Sequence, residues 1–289
     1  MVREFWISIT ALLVSIAVLL LGVGLMGTLL SVRLNFEAMD PLAKGLILSA
    51  YYIGLVIGSQ QAGRVIRQAG HIRAFAIFAA LSTAAILLQG LYVAALSWFV
   101  LRVMVGFSIS GIYMVVESWL NERADSSSRG VVFSVYQIIT YAAIGAGQLL
   151  MHLGDPMTPE LFMIVGLLFA LCLVPVALSR ASNPPEPLPH TAMALGEAWR
   201  GSRLAVVTCV GAGLLSGAAF SLVPIAVLRM GLSVDEVAPV MAGLILGGMA
   251  LQWPIGHYSD RYGRRRLIFI VGICTALVAL SPVYLGVTY

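Results

Sequence analysis

The chain has 289 residues, of which 60% are hydrophobic and only 10% are charged, whereas soluble domains carry about 25% charged residues. This composition excludes a water-soluble globular fold and argues against a disordered chain, a nucleic-acid-binding domain and a disulfide-stapled secreted scaffold. The formal net charge of +4 is therefore interpreted through membrane topology.

Long uncharged runs separate short clusters of charged residues along the chain. Because about 20 apolar residues cross the hydrocarbon core of a bilayer, these runs predict nine membrane-spanning helices in an all-α polytopic membrane protein. The predicted helices lie at 5–32, 45–63, 74–95, 98–120, 130–153, 161–179, 204–228, 237–257 and 267–289. The three cysteines lie inside apolar runs without metal-ligand spacing, so we predict neither a metal site nor a cofactor.

The distribution of basic residues predicts the orientation of the chain. With the N-terminus in the cytoplasm, 13 of the 17 Lys and Arg residues lie in cytoplasmic loops and 3 lie in the opposite loops, while Arg102 lies inside a helix. The positive-inside rule favours this arrangement. We therefore expect an integral protein of the bacterial inner (plasma) membrane with a cytoplasmic N-terminus.

A proline-rich polar segment predicts a division into two bundles. Residues 181–203 contain four prolines between Pro184 and Pro189, which is too many for a helix. We predict a six-helix bundle at 1–180, a cytoplasmic linker at 181–203 and three helices of a partial second bundle at 204–289. The alternative interpretation of the linker is an ordinary loop between helices.

An internal repeat relates the two bundles. A shift of 193 residues places the segment 63–73 on the segment 256–266, and both segments follow the second helix of their half. Parallel repeats of this kind are typical of transporter halves. The gate motif of the two copies comprises Gly63, Arg67, Gly70 and Arg73, and Gly256, Asp260, Arg261, Gly263 and Arg264.

The second copy of the gate motif resembles the loop signature of the major facilitator superfamily, whose two six-helix halves are related by such a repeat. Segments around Glu117, Gln148 and Trp253 are most similar to uncharacterised bacterial YcaD-type members. The chain departs from the family pattern at Arg67, which occupies an acidic position. A second departure is Ala146, which stands where the antiporter glycine motif has a proline, so drug/proton antiport is not assigned.

The resemblance also implies an architecture that the chain does not complete. A second half that matches the first needs about 190 residues beyond the linker, and only about 90 are present. We therefore expect a C-terminally truncated member of the superfamily, with half of its second bundle.

The loop around Asp260 has two possible roles. An aspartate beside arginines at a helix end can form ion pairs in only one conformational state, which would make the loop a latch. Alternatively, the arginines satisfy the positive-inside rule and bind anionic lipid headgroups.

The fourth predicted helix carries polar side chains on one face. At 100° per residue, Arg102, Gly106, Tyr113 and Glu117 lie within about 60° of one another. A charge that faces lipid is costly, so this stripe should face the bundle interior. The segment from Arg102 to Gly106 resembles the arginine motif of the superfamily's fourth helix, which implies a role with an anionic substrate or in proton coupling. A structural arginine near the helix end is the alternative.

Glu117 lies about 22 Å from Arg102 along the helix axis, too far for a direct ion pair. We expect Glu117 near the cytoplasmic end, where Arg129, Arg67 or Arg73 could pair with it and form a gate cluster. This gating role is favoured over proton carriage, because carboxylates near the interface usually find a basic partner.

The fifth predicted helix carries a second polar stripe of Gln137, Tyr141 and Gln148. We predict that Gln137 and Tyr141 line a cavity and that Gln148 joins helices by hydrogen bonding, because the neighbouring glycines allow close packing.

These features support the hypothesis of a secondary active transporter that moves a small solute by alternating access, coupled to H+ or Na+. The chain has no nucleotide-binding GxxxxGK[ST] loop and no HExxH or GxSxG motif, so we expect no enzymatic activity. Its expected partners are the small solute and the lipid bilayer, without nucleic acid. The alternative is a non-transporting membrane protein, such as a sensor or assembly subunit or an inactive fragment, that retains the fold.

Overall fold

The computed structural model describes residues 2–123, 129–178, 195–262 and 264–284, and nearly all of these residues are helical. A 3-10 helix at Leu150–Leu153 extends the fifth α-helix. The α-helices are α1 Val2–Phe36, α2 Pro41–Ala69, α3 His71–Leu91, α4 Ala95–Arg123, α5 Arg129–Leu149, α6 Glu160–Leu171, α7 Leu173–Leu178, α8 Leu195–Gly201, α9 Arg203–Arg229, α10 Val234–Tyr262 and α11 Arg264–Tyr284.

The helices form an all-α polytopic membrane protein, as predicted. In the described part of the chain, eight segments are long and apolar enough to cross a membrane, and they correspond to the first eight predicted helices. The ninth predicted helix forms α11, in which the apolar stretch Arg266–Val278 is shorter. Large apolar side chains cover the outside of the helices: Leu178 is 77% exposed and Leu214 is 71% exposed, which is typical of surfaces that face lipid.

Several helices end later than the apolar runs predict. The second predicted helix ends at residue 63, but α2 continues through Arg67 to Ala69. Polar residues alone do not end a helix. The helix ends before Gly70, whose φ of 78° lies in the left-handed region that glycine adopts most readily. The predicted sixth helix divides at Cys172, because the ring of Pro175 clashes with the carbonyl group four residues earlier.

The predicted linker lies largely outside the described residues, since the structure does not describe 179–194. Within the predicted range of 181–203, the seven residues of α8 form a short helix. This segment contains no proline, so nothing prevents a helical turn there.

The helix boundaries reproduce the internal repeat. The first helix of each bundle ends at equivalent positions, Phe36 in α1 and Arg229 in α9, which are 193 residues apart. The same offset relates the first residues of α2 and α10, Pro41 and Val234. The parallel repeat inferred from the sequence is therefore present in the helical structure.

The first bundle is held together by glycines at two helix crossings. Between α2 and α4, a Cβ atom at Gly54 would overlap the carbonyl oxygen of Val103, and a Cβ atom at Gly58 would lie 2.7 Å from the carbonyl oxygen of Phe107. Between α1 and α5, a Cβ atom at Gly147 would overlap the carbonyl oxygen of Leu21. Small residues let membrane helices approach this closely.

The crossing of α1 and α5 also contains a buried hydrogen bond. The hydroxyl of Thr28 donates to the side-chain oxygen of Gln148, and both side chains are fully buried. The expectation that Gln148 joins helices is confirmed by this contact.

The two bundles contact each other along the halves of α9 and α10 that lie nearest the turn between these helices. The buried residues of α10 lie within its first half, from Val237 to Ile245, and they pack mainly against α5. Near this turn, Nδ1 of His152 lies 3.6 Å from a carboxylate oxygen of Asp235. α5 therefore has two partners, α1 in its own bundle and α10 in the other.

Candidate functional site

A cavity of about 240 Å³ lies between the two bundles. The helices that line it are α1, α2, α4, α5 and α6 of the first bundle and α9 of the second bundle. The repeat relates lining residues to each other: Val23 of α1 corresponds to Ser216 of α9, and Gly27 corresponds to Phe220, each at the offset of 193. The cavity is therefore lined from both sides by equivalent positions of the repeat.

Arg102 lies in the wall of this cavity. Its residue surface is only 7% exposed, and its Nε atom is buried without a hydrogen-bond partner. The guanidinium carbon lies 4.7 Å from the ring centroid of Tyr51, which is a cation–π contact. Among the described residues, no carboxylate lies within ion-pair distance of this guanidinium.

The position of Arg102 is fixed by the start of α4. One turn earlier, the indole of Trp98 donates its Nε1 hydrogen to the carbonyl oxygens of Gln89 at 3.0 Å and Tyr92 at 2.8 Å. Trp98 is fully buried and closes the turn between α3 and α4. Arg102 lies on the same helix face as Trp98, because residues four apart are neighbours on a helix.

Two adjacent tyrosines of α2 form another part of the cavity wall. The rings of Tyr51 and Tyr52 meet edge to face at 81°, with centroids 5.4 Å apart. Tyr52 contacts the second bundle, because its Cζ atom lies 3.2 Å from the position that a Cβ atom would occupy at Gly217 of α9. Ser221 of α9 lines the same cavity.

The polar residues predicted from the sequence divide into two groups. Tyr113 lines the same cavity as Arg102, and both lie on α4. Gln137 and Tyr141 of α5 are half-buried and do not line this cavity, to which α5 contributes Ile144. The structure therefore brings together the two α4 residues and leaves the two α5 residues apart from them.

The residues predicted for a cytoplasmic gate cluster are not joined by ion pairs. The carboxylate of Glu117 accepts a hydrogen bond of 3.4 Å from the phenol of Tyr136. Arg67, Arg73 and Arg129 are exposed, and no ion pair joins any of them to Glu117 in the described structure. Among the described residues, Tyr136 of the neighbouring helix α5 takes the place of a basic partner.

The second copy of the gate motif is described only in its backbone. Gly256, Asp260 and Arg261 lie in the last turns of α10, and Arg264 begins α11. Gly263 and the side chains of the other motif residues lie outside the described structure. The predicted latch therefore stays a prediction.

A polar cluster that the sequence did not predict lies between α3 and α4. Nε2 of His71 lies 3.1 Å from the hydroxyl of Ser118 and 3.8 Å from a carboxylate oxygen of Glu122. The imidazole is 1% exposed. The sequence does indicate that Ser118 and Glu122, four residues apart, lie on one face of a helix. It does not indicate that His71, at the start of another helix, packs against that face.

Comparisons with known proteins agree with the fold. Residues 7–289 match the family model described as Major Facilitator Superfamily. The uncharacterised MFS-type transporter YcaD of Escherichia fergusonii is 29% identical over 268 residues, which is 90% of this chain and 69% of the relative. An uncharacterised MFS-type transporter of Yersinia enterocolitica is 28% identical over 268 residues, again 90% of this chain and 69% of the relative.

Two solved structures share this arrangement of helices. The first is a bacterial homologue of the human lysosomal transporter Spinster, in an inward-facing and unoccupied conformation, with a TM-score of 0.73 and 15% identity. The match covers 91% of this chain and 64% of that protein. An auto-inhibited peptide transporter of the POT family matches with a TM-score of 0.52 and 20% identity, over 90% of this chain and 55% of that protein. This chain therefore spans less than two thirds of either solved protein.

Proposed function

The chain belongs to the major facilitator superfamily, and from that premise we propose that it provides the solute site of a secondary active transporter in the bacterial inner membrane. The solute is small, and its movement is coupled to H+ or Na+. Transport proceeds by alternating access, in which the two bundles rock around the cavity. The cavity residues Arg102 and Tyr113 bind the solute or the coupling ion.

The observation that carries this proposal is that repeat-related positions of the two bundles line the cavity. The pairs Val23 with Ser216 and Gly27 with Phe220 line it from opposite bundles. In transporters built from repeats, substrate sites lie at the interface between the repeats, near the bilayer midplane.

The contact between the bundles supports an orientation for this state. With the N-terminus in the cytoplasm, as the asymmetry of basic loop residues favours, the end of α9 and the start of α10 lie on the outer side. The bundles then contact each other at the outer end, near His152 and Asp235. We propose that this is the inward-facing state of the carrier.

The gate motif is proposed to act at the cytoplasmic end. Arg67 and Arg73 lie on either side of the glycine turn at Gly70. Closure of the cytoplasmic end would move these exposed arginines, so that ion pairs form in one state only. Glu117, near the cytoplasmic end of α4 in the same bundle, is their proposed acidic partner after it leaves Tyr136.

Solute counterflow tests the proposed function. The purified chain is reconstituted in vesicles, and exchange of radiolabelled solutes from a chemically diverse panel is measured with and without a pH or Na+ gradient. We expect saturable exchange of at least one solute and its acceleration by one of the gradients.

Water access supplies a second readout for the same proposal. A cysteine introduced at Ser216 should react with a membrane-impermeant thiol reagent from one side of the vesicle, whereas one introduced at the lipid-facing Leu214 should not. Absence of counterflow together with an unreactive Ser216 position would contradict the proposal and favour a non-transporting membrane protein that retains the fold.

A further inference from the structure

The geometry of the cavity points to a solute class. We propose that the solute is a small organic monoanion, whose single carboxylate binds Arg102 and whose apolar body lies on the aromatic and aliphatic wall. This inference rests on the proposed solute site, but it concerns what the site binds and not whether the chain transports it.

The first argument is the unbalanced charge of Arg102. Elsewhere in the described structure, the partly buried Arg33 has its partners: its Nε lies 2.6 Å from the carboxylate of Glu37, and its Nη1 donates to the carbonyl oxygen of Pro156 at 2.9 Å. Arg102 is 7% exposed and has no such partner among the described residues. A buried charge without a counter-charge is unfavourable, and an anion in the cavity would remove this penalty.

The second argument is the direction from which an anion can approach. Tyr51 covers one face of the guanidinium, and Nε is enclosed by protein. The remaining approach to an arginine is in the plane of its fork, where two N–H groups match the two oxygens of a carboxylate. The phenol of Tyr113 lines the same cavity and offers a further donor.

The third argument is the composition of the remaining wall. Most of it is apolar, with Met26, Val105, Ile109, Phe169 and Phe220 among the lining residues. Arg102 is the charged residue of the described lining, so a ligand with two or more negative charges would leave one of them buried without a partner. The volume of about 240 Å³ is below the roughly 300–1,000 Å³ of typical ligand pockets. A small monoanion with an apolar body fits these limits.

A charge series of constant shape tests the proposal. Binding of 3-phenylpropionate, 3-phenylpropanamide and 3-phenylpropylamine to the purified chain in detergent is measured by titration calorimetry at neutral pH. We expect the carboxylate to bind at least about tenfold more tightly than the amide, because only the carboxylate forms a charge-assisted pair with Arg102. The amine should bind least tightly.

Variants assign the preference to Arg102. R102Q should reduce the affinity for the carboxylate to that for the amide, and R102K should retain part of the preference. R200Q removes an exposed cation of α8 and should leave the preference unchanged. Size-exclusion chromatography confirms that each variant is folded, and the comparison of the three ligands on the unmodified chain does not depend on any variant.

The outcomes separate this inference from the proposed function. Equal affinity for the three compounds, tighter binding of the amine, an unchanged preference in R102Q, or no binding of the carboxylate up to about 10 mM would overturn the inference. Anion-selective binding without counterflow and with an unreactive Ser216 position would contradict the proposed function alone. Counterflow of a cation or a neutral solute without binding of anions would contradict the inference alone.

Discussion

The backbone of Gly106 lies directly against the carbonyl oxygen of Tyr51, because a Cβ atom on Gly106 would overlap that oxygen. This contact brings α2 and α4 together one turn from Arg102. The cation–π contact between Arg102 and Tyr51 therefore depends on a backbone approach that only glycine permits at this position.

Alanine at this crossing should destabilise the first bundle. We expect G106A to lower the free energy of unfolding by about 1–3 kcal/mol, because the added methyl group must displace backbone rather than a flexible side chain. Unfolding in mixed detergent micelles measures the change. G45A is the matched control on α2, since nothing lies within 4 Å of a Cβ atom there. Equal stability of G106A and G45A would contradict the described crossing.

The aromatic ring of Tyr51, and not its hydroxyl, should stabilise Arg102. We expect Y51F to unfold with the same free energy as the unmodified chain. Y51L should be less stable by about 1–2 kcal/mol, the size of a desolvated cation–π contact. A double-mutant cycle checks the assignment: in the R102Q background the difference between Y51F and Y51L should disappear. A difference that persists in that background would mean that the ring acts through packing alone.

The buried hydrogen bond between Thr28 and Gln148 should couple α1 to α5. We expect a double-mutant cycle of T28V and Q148L to give a coupling energy of about 0.6–1.7 kcal/mol, which are the average and the largest values for hydrogen bonds between membrane helices. T140V with Q148L is the control pair, because the hydroxyl of Thr140 donates within its own helix to Tyr136. Coupling of equal size in the control pair would refute the assignment.

Joining the bundles at their contacting end should stop solute exchange. In a background without native cysteines, H152C and D235C place thiols where the two side chains now lie 3.6 Å apart. We expect a short bifunctional thiol reagent with a reducible spacer to abolish counterflow, and we expect reduction to restore it. Each single-cysteine variant is treated in parallel. Undiminished exchange in the crosslinked protein would show that this end does not open during transport.

Lysine should not replace Arg102 in transport. R102K keeps the charge but loses the planar fork that binds two carboxylate oxygens, so we expect solute exchange to fall at least about tenfold. Membrane insertion should be unchanged, as measured by the amount of protein in the membrane fraction. Unchanged solute exchange in R102K would indicate that Arg102 has a structural role only.

The helices were largely predictable from the sequence, because apolar runs report directly on contact with lipid. Their ends were less predictable. The second predicted helix ends at residue 63, although α2 continues through Arg67 to Ala69. Hydropathy detects where a chain leaves the hydrocarbon region, whereas a helix ends where its backbone geometry changes, and here that change occurs at Gly70.

The site was predictable only in part, because a helix face can be read from one segment but a cavity is built from several. The positions of Arg102 and Tyr113 followed from the helical periodicity of α4. Tyr51 and Phe220 belong to other helices, so their place in the cavity wall depends on how those helices pack against α4. The stripe of Gln137 and Tyr141 had the same periodicity, yet it does not line the cavity, because periodicity cannot say which neighbour a polar face meets.

Two glycines of α5, Gly147 and Gly145, differ in what would fill the space beside them if the neighbouring helix moved away. The contact of Gly147 is with the backbone of Leu21, and separation there would leave a narrow groove that a lipid chain fills poorly. A Cβ atom at Gly145 would meet side chains only, with Leu246 at 3.0 Å and Ile245 at 3.8 Å, and another rotamer or an acyl chain can occupy that space. In the bilayer, α10 should therefore move away from α5 more easily than α1 does.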